Sequence, residues 1–222
     1  MSYIQFKRGK HRRAALICPE TAKMTSEMSK FSVLLLLLLV VCDRSSGFRP
    51  YQSVLQVQNG MSWGEWRQKD MCPDGMYAAG FSLKVERSVG DADDTALNGI
   101  RLHCIHKDSS APHKSYATVQ SETGSWGEWT RIEWCPGGFL TSFQLRVEPN
   151  QGKGDDTAAN NIRFLCSTAN ILEGSGMNWG NWGEWSARCQ GKGICGIMTR
   201  VEPPQGSGDD TALNNVQMYC CD

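Results

Sequence analysis

The chain has 222 residues and carries 23 Lys or Arg against 23 Asp or Glu, so its formal net charge is zero. The balance is uneven: residues 1–46 hold eight basic and three acidic side chains, which leaves 15 basic and 20 acidic in the remainder. An acidic module has no electrostatic case for binding DNA, RNA or heparin-like polyanions, so nucleic acid is not expected among the partners.

Residues 1–27 are rich in Lys and Arg and show no apolar periodicity; they read as an extension or alternative start outside the fold. Phe31–Val41, FSVLLLLLLVV, follows Lys30 and precedes the polar stretch Cys42–Ser46. Eleven residues are too few to cross a bilayer, which takes roughly 20. A short apolar core with a basic residue before it and small residues after it marks a secretory signal. It is placed at 28–47, with cleavage after Gly47, and no transmembrane segment is expected. Of the ten cysteines, Cys18 and Cys42 fall before this point. An even set of eight behind a signal predicts four disulfides in an oxidising compartment. No C-x-x-C pair occurs and histidines are few, which speaks against zinc, and there is no N-x-[ST] sequon.

Residues 48–222 read as one domain made of three similar copies, at about 51–110, 111–168 and 169–222. In the first copy a short strand, SVLQVQ, precedes WGEW at Trp63–Trp66, then Cys72, an alternating FSLKVE, the acidic loop VGDADDTALNG, and GIRLHC ending at Cys104. In the second the same landmarks are SYATVQ, WGEW at Trp126–Trp129, Cys135, FQLRVEP, GKGDDTAANN and NIRFLC ending at Cys166. In the third they are ANIL, WGEW at Trp182–Trp185, Cys189, IMTRVEP, GSGDDTALNN and NVQMYC ending at Cys220. The alternation of apolar and polar residues predicts half-buried strands, Gly, Pro, Asp and Asn punctuate the gaps, and no 3.6-residue period appears. The fold class is therefore all-β, about twelve strands in three similar four-stranded sheets. Pairing within each copy gives Cys72–Cys104, Cys135–Cys166 and Cys189–Cys220, with Cys195–Cys221 closing the C-terminus. Cys189–Cys221 with Cys195–Cys220 is an open alternative.

WGEW, a cysteine corner, then RVEPNQGKGDDTAANNIRFLC closely resembles the vitelline membrane outer layer protein I family, over roughly Ser53–Asp222. The resemblance implies a β-prism of three four-stranded Greek-key sheets with internal pseudo-threefold symmetry. It implies an extracellular protein of a coat such as the egg's vitelline membrane, with coat or matrix proteins and glycans as partners. It also implies carbohydrate binding or a transferase-like action on chito-oligosaccharides. The chain departs from the pattern in VERSVGDADDT of the first copy and in CQGKGIC of the third.

The acidic loops invite a catalytic reading with Asp94, Asp156, Asp210 and Glu202 as candidates. Glycoside chemistry needs two carboxylates with different pKa values, whereas near-identical triplicate loops are what maintenance of a fold produces. No catalytic role is assigned. Calcium would find hard oxygens there, but the D-x-D-x-D-G spacing is missing and capping of a turn accounts for Asp, Thr and Asn; no metal or cofactor is expected. Tryptophan faces stack on sugars. The two Trp of W-G-E-W should fall on opposite faces of a regular strand, at least one of them in the core. Trp134 and Trp179 lie outside the repeated motif and are the candidates for carbohydrate recognition.

Overall fold

The computed structural model describes residues 49–86, 96–109, 115–149, 158–203 and 212–222. The extension, the signal segment and three of the acidic candidates, Asp94, Asp156 and Asp210, lie outside the described residues.

Three long antiparallel hairpins form the frame: β4 (Met76–Val85) with β5 (Leu97–His106), β9 (Leu140–Val147) with β10 (Ala159–Cys166), and β13 (Gly193–Val201) with β14 (Leu213–Cys221). Each is the alternating strand and the cysteine-terminated strand of one copy. Short strands flank them: β1 (Ser53–Leu55), β2 (Glu65–Trp66) and β3 (Asp70–Met71) from the first copy, β6 (Ala117–Gln120), β7 (Glu128–Trp129) and β8 (Glu133–Trp134) from the second, β11 (Ile171–Glu173) and β12 (Asn181–Trp182) from the third.

These short strands do not join the hairpin of their own copy. The first sheet runs β6-β5-β4-β7 with β8 also on β4, the second β11-β10-β9-β12, and the third β1-β14-β13-β2 with β3 also on β13. Every wall of this β-prism is thus the hairpin of one copy completed by the short strands of the next. The N-terminal strands close the circle on the C-terminal hairpin, with Ser53 opposite Cys220 and Glu65 opposite Val201. Spatially each wall has the 4-1-2-3 order of a Greek key. The sequence copies and the sheets are therefore out of phase by half a unit, and fourteen strands occur among the described residues where about twelve were expected. The added ones are β3 and β8, two-residue pairs on the flanks.

The inner faces meet in one apolar core. Phe81 faces Leu102, Phe143 faces Phe164 and Ile197 faces Met218 at the same level of the three hairpins, and all six are fully buried. Phe81 of the first wall packs on Phe164 of the second with ring centroids 4.7 Å apart. Removing one such ring to Ala costs about 3–5 kcal/mol. Arg49 fastens the start of the described chain, donating from Nη1 to the carbonyls of Cys72 and Pro73 at 3.3 and 3.0 Å.

Cys72 follows β3 on the third wall and is bridged to Cys104 of the first; Cys135 follows β8 on the first wall and is bridged to Cys166 of the second. Cys189 follows β12 on the second wall and is bridged to Cys220 of the third. Each of these bridges stays within one sequence copy yet crosses from one wall to its neighbour. The fourth, Cys195–Cys221, stays inside the third wall and joins β13 to β14.

At the exit of the acidic loops the chain repeats one local device. Ala96, Ala158 and Ala212 adopt φ of 49°, 49° and 47°. Their carbonyls accept the N–H groups of Glu86, Glu148 and Glu202 at 2.8–2.9 Å, which closes each hairpin. The fully buried Asn98, Asn160 and Asn214 donate back to the same carbonyls. A left-handed turn at an L-residue is unfavourable by roughly 1 kcal/mol or more, and a buried amide on each carbonyl helps to hold it.

Candidate functional site

Glu202, the one acidic candidate among the described residues, is half-buried beside this turn, where its backbone anchors the hairpin. Among the described residues no group of three or more His, Cys, Asp or Glu side chains is placed to hold a metal.

The tryptophans require two corrections. None of the eight belongs to the buried core, against the expectation of one core Trp per copy. The cause is the glycine. Gly64, Gly127 and Gly180 have φ of 70°, 84° and 70°, and a Cβ there would lie 2.1–2.3 Å from the backbone of Val201, Val85 and Val147. The tetrapeptide is thus a kink pressed against the neighbouring strand, and strand alternation does not apply to it. Trp63 and Trp126 stand 48% and 54% exposed.

The second correction concerns register. In the third copy, WGNWGEW, the repeated unit is Trp179–Trp182: Trp182 faces Arg146 as Trp129 faces Lys84 and Trp66 faces Arg200. Trp179 therefore occupies the repeated position of Trp63 and Trp126, and Trp185 is the addition. Trp134 does lie outside the motif. It sits on β8 opposite Gly80, where a Cβ would come within 2.6 Å of the indole. It packs on Tyr116 and His103 at 5.3 and 5.7 Å.

His103 is 3% exposed, bonded through Nε2 to the Ser82 hydroxyl at 3.0 Å and covered by Tyr116 and Trp134. Burial, and secondarily the Arg101 charge, lower its pKa from 6.5 to about 4. The unfolded chain therefore takes up the proton first. This stabilisation is complete above the unfolded pKa, falls as pH drops from about 6.5 to about 4, and loses nothing more below that. Its ceiling is about 3 kcal/mol. His103→Leu places there the residue that the second wall already has, Leu165. Urea unfolding at pH 7 and pH 4.5 is expected to show a loss smaller by about 2–3 kcal/mol in this variant than in the wild type. Equal losses would remove His103 as the cause.

Two clefts open where adjacent walls meet. Between the first and second walls, a cleft of about 500 Å³ is lined by Val85, Trp129 and Met177, with Glu128, Arg131 and Ser175 also at the lining. Between the second and third walls, one of about 320 Å³ is lined by Val147, Trp182 and Met61 with Asn59, Asn181 and Pro149. Arg101 lies over the Trp129 ring at 3.7 Å and Arg163 over Trp182 at 4.5 Å. Such cation–π stacks hold an indole in place. This pair of clefts was not legible in the sequence, because its walls come from different copies; the repeated Trp and the Arg of GIRLHC and NIRFLC were its trace.

The family model described as vitelline membrane outer layer protein I matches residues 53–222. The "Vitelline membrane outer layer protein 1 homolog" of Mus musculus is 48% identical over 202 residues, covering 88% of this chain and 98% of that protein. The homolog of Homo sapiens is 48% identical over 198 residues, covering 87% and 96%. Among solved structures, Calystegia sepium agglutinin has a TM-score of 0.48 at 13% identity over 77% of this chain and 97% of its own. Single-chain recombinant jacalin has 0.48 at 13% over 80% and 99%. These two likenesses carry no functional argument. The family model spans most of the chain and the relatives share nearly half its residues, so the chain belongs to the vitelline membrane outer layer protein I family.

Proposed function

We propose that the chain is a secreted, disulfide-stabilised structural component of an extracellular coat, such as the outer layer of the egg vitelline membrane. The observation that carries this reading is the stitching of the walls: three bridges cross the three seams in turn, and the first strands close on the last hairpin. A shell in which no wall can lift away alone suits a barrier exposed to proteases. The acidic balance and the relatives' printed names are in keeping with it. In this reading residues 28–47 direct secretion, and coat proteins and glycans are the partners. No helix among the described residues is long and apolar enough to cross a membrane.

The test is to express the full chain in cultured animal cells, sequence the N-terminus of the product, and incubate the product with isolated egg coats. Recovery from the medium with residue 48 first, and retention on coats through a salt wash, is expected. A product retained in the cytosol, or one that washes freely off every coat, would overturn the proposal. A second reading, carbohydrate binding, is favoured by the paired Trp-lined clefts.

A further inference from the structure

We propose that two of the three seams are equivalent binding sites for a neutral, polyhydroxylated ligand with one apolar face, the chemistry of a hexopyranose, and that the protein is a bivalent glycan cross-linker. This rests on the carbohydrate-binding reading and goes beyond it in location and number.

The two clefts correspond residue by residue. Val85 pairs with Glu128 as Val147 pairs with Asn181. Met177 and Met61 hold the same place, their N–H groups donating to the carbonyls of Asn160 and Asn214 at 2.8 Å. Each cleft therefore has a valine, a methionine and an Arg-clamped indole. Their volumes fall within the range of ligand pockets, roughly 300–1,000 Å³. An indole beside aliphatic side chains suits the C–H face of a sugar ring.

The polar groups narrow the ligand class. In the first cleft the lining carries one carboxylate, Glu128, and one guanidinium, Arg131, the latter paired with Glu133 at 2.8 Å, and Ser175 adds a hydroxyl. In the second the polar side chains are the amides of Asn59 and Asn181, with no charged group in the lining. The first lining thus holds one formal charge of each sign and the second holds none, which suits a neutral ligand. Asn59 donates through Nδ2 to the Leu145 carbonyl at 2.9 Å, which fixes its amide. Its Oδ1 is buried and has no partner among the described residues. An O–H donor would satisfy it, and leaving a buried acceptor unpaired costs about 1–3 kcal/mol.

The third seam, between the third and first walls, lacks these features. Gln217 stands on β14 where Arg101 and Arg163 stand on β5 and β10. Gly124 takes the place of the two methionines, its N–H bonded to the Asn98 carbonyl. The depression along this seam is lined by Gln68, Lys69, Asp70, Gln120, Ser121 and Glu122, charged and without an aromatic ring. It is also zipped: the Asp70 carboxylate accepts the Gln120 N–H at 3.0 Å, the Ser121 hydroxyl donates to the Gln68 carbonyl at 2.8 Å, and Arg67 pairs with Glu122 at 3.7 Å. The pseudo-threefold frame thus carries two sites, on different edges of the prism.

The experiment uses an array of neutral oligosaccharides ending in mannose, galactose or N-acetylglucosamine. The strongest binder is then titrated as the free sugar and mixed as its polyacrylamide conjugate. Wild type is expected to bind two free sugars per chain and to precipitate the conjugate. Trp129→Ala and Trp182→Ala should each bind one and give no precipitate. The double variant should bind none, and Trp66→Ala should behave as wild type. Asn59→Asp places a charge in the second cleft without touching an indole and should likewise reduce the count to one, which covers the case that a Trp variant misfolds. If the folded double variant still binds, or if Trp66→Ala abolishes binding, the seam sites are overturned while glycan binding stands. If no array member binds the wild type, both readings fall.

Discussion

Deleting residues 49–71 is expected to abolish folding, whereas joining Asp222 to Arg49 and opening the chain within 110–114 is expected to leave the fold intact. The deletion removes β1, β2 and β3, and with them three of the five strands of the third wall. Leu55 and Val57 leave the core, and both edges of the β13–β14 hairpin lose their partners. Each buried side chain of that size contributes roughly 1.5–3 kcal/mol, and two bare sheet edges invite aggregation. Against a typical domain stability of about 5–15 kcal/mol the loss is decisive. The rearranged chain keeps every one of these contacts. The Gln52 N–H already donates to the Cys220 carbonyl at 2.7 Å, so the termini of the described fold lie on adjacent strands. The new opening falls between β5 and β6, the pseudo-symmetric counterpart of the natural gap between β14 and β1. Near-UV circular dichroism and disulfide mapping check the outcome. A rearranged chain that fails to form the four bridges, or a truncated chain that melts cooperatively, would contradict the out-of-phase architecture.

The second large effect concerns the bridges. Replacing both cysteines of any one of them by Ala is expected to lower stability by about 3.5 kcal/mol in the chain-entropy model, because the sequence separations, 32, 31, 31 and 26, are alike. Native-state proteolysis should nevertheless separate them. Without Cys135–Cys166 or Cys189–Cys220 a seam can part while the walls stay folded, a local opening of lower free energy than global unfolding. Without Cys195–Cys221 the strands remain held by the β13–β14 hydrogen bonds. Cleavage near the seam should rise sharply in the first two variants and little in the last, at equal urea midpoints. Equal proteolysis in all three would show that the seams are held by packing alone.

The all-β class and the threefold repeat were legible because each wall turns the large apolar side chains of its hairpin to one face. FSLKVE, FQLRVE and NIRFLC alternate accordingly, and the landmarks recur in order. The phase of the sheets was not. Similarity between copies fixes a period, but not where a unit begins, and in a closed ring either choice reads equally well. The third-copy motif misled for a local reason. WGNWGEW contains two overlapping W-G-x-W tetrapeptides, and the one with the identical letters is not the one at the kink. The Trp burial expectation failed because it assumed a strand where a glycine of positive φ makes a turn.

The half-unit offset has a consequence for how such a chain can arise. One copy alone is a hairpin with its flanking strands turned away from it, so it leaves its own edges bare and carries the cover for another. In this fold three copies satisfy one another in a ring, each lending its strands to the hairpin of the copy before it. Residues 49–222 are such an exchanged trimer written as one polypeptide. Its two joints need only carry the chain across a gap that the ring already brings together, and its third joint can be left open as the two termini.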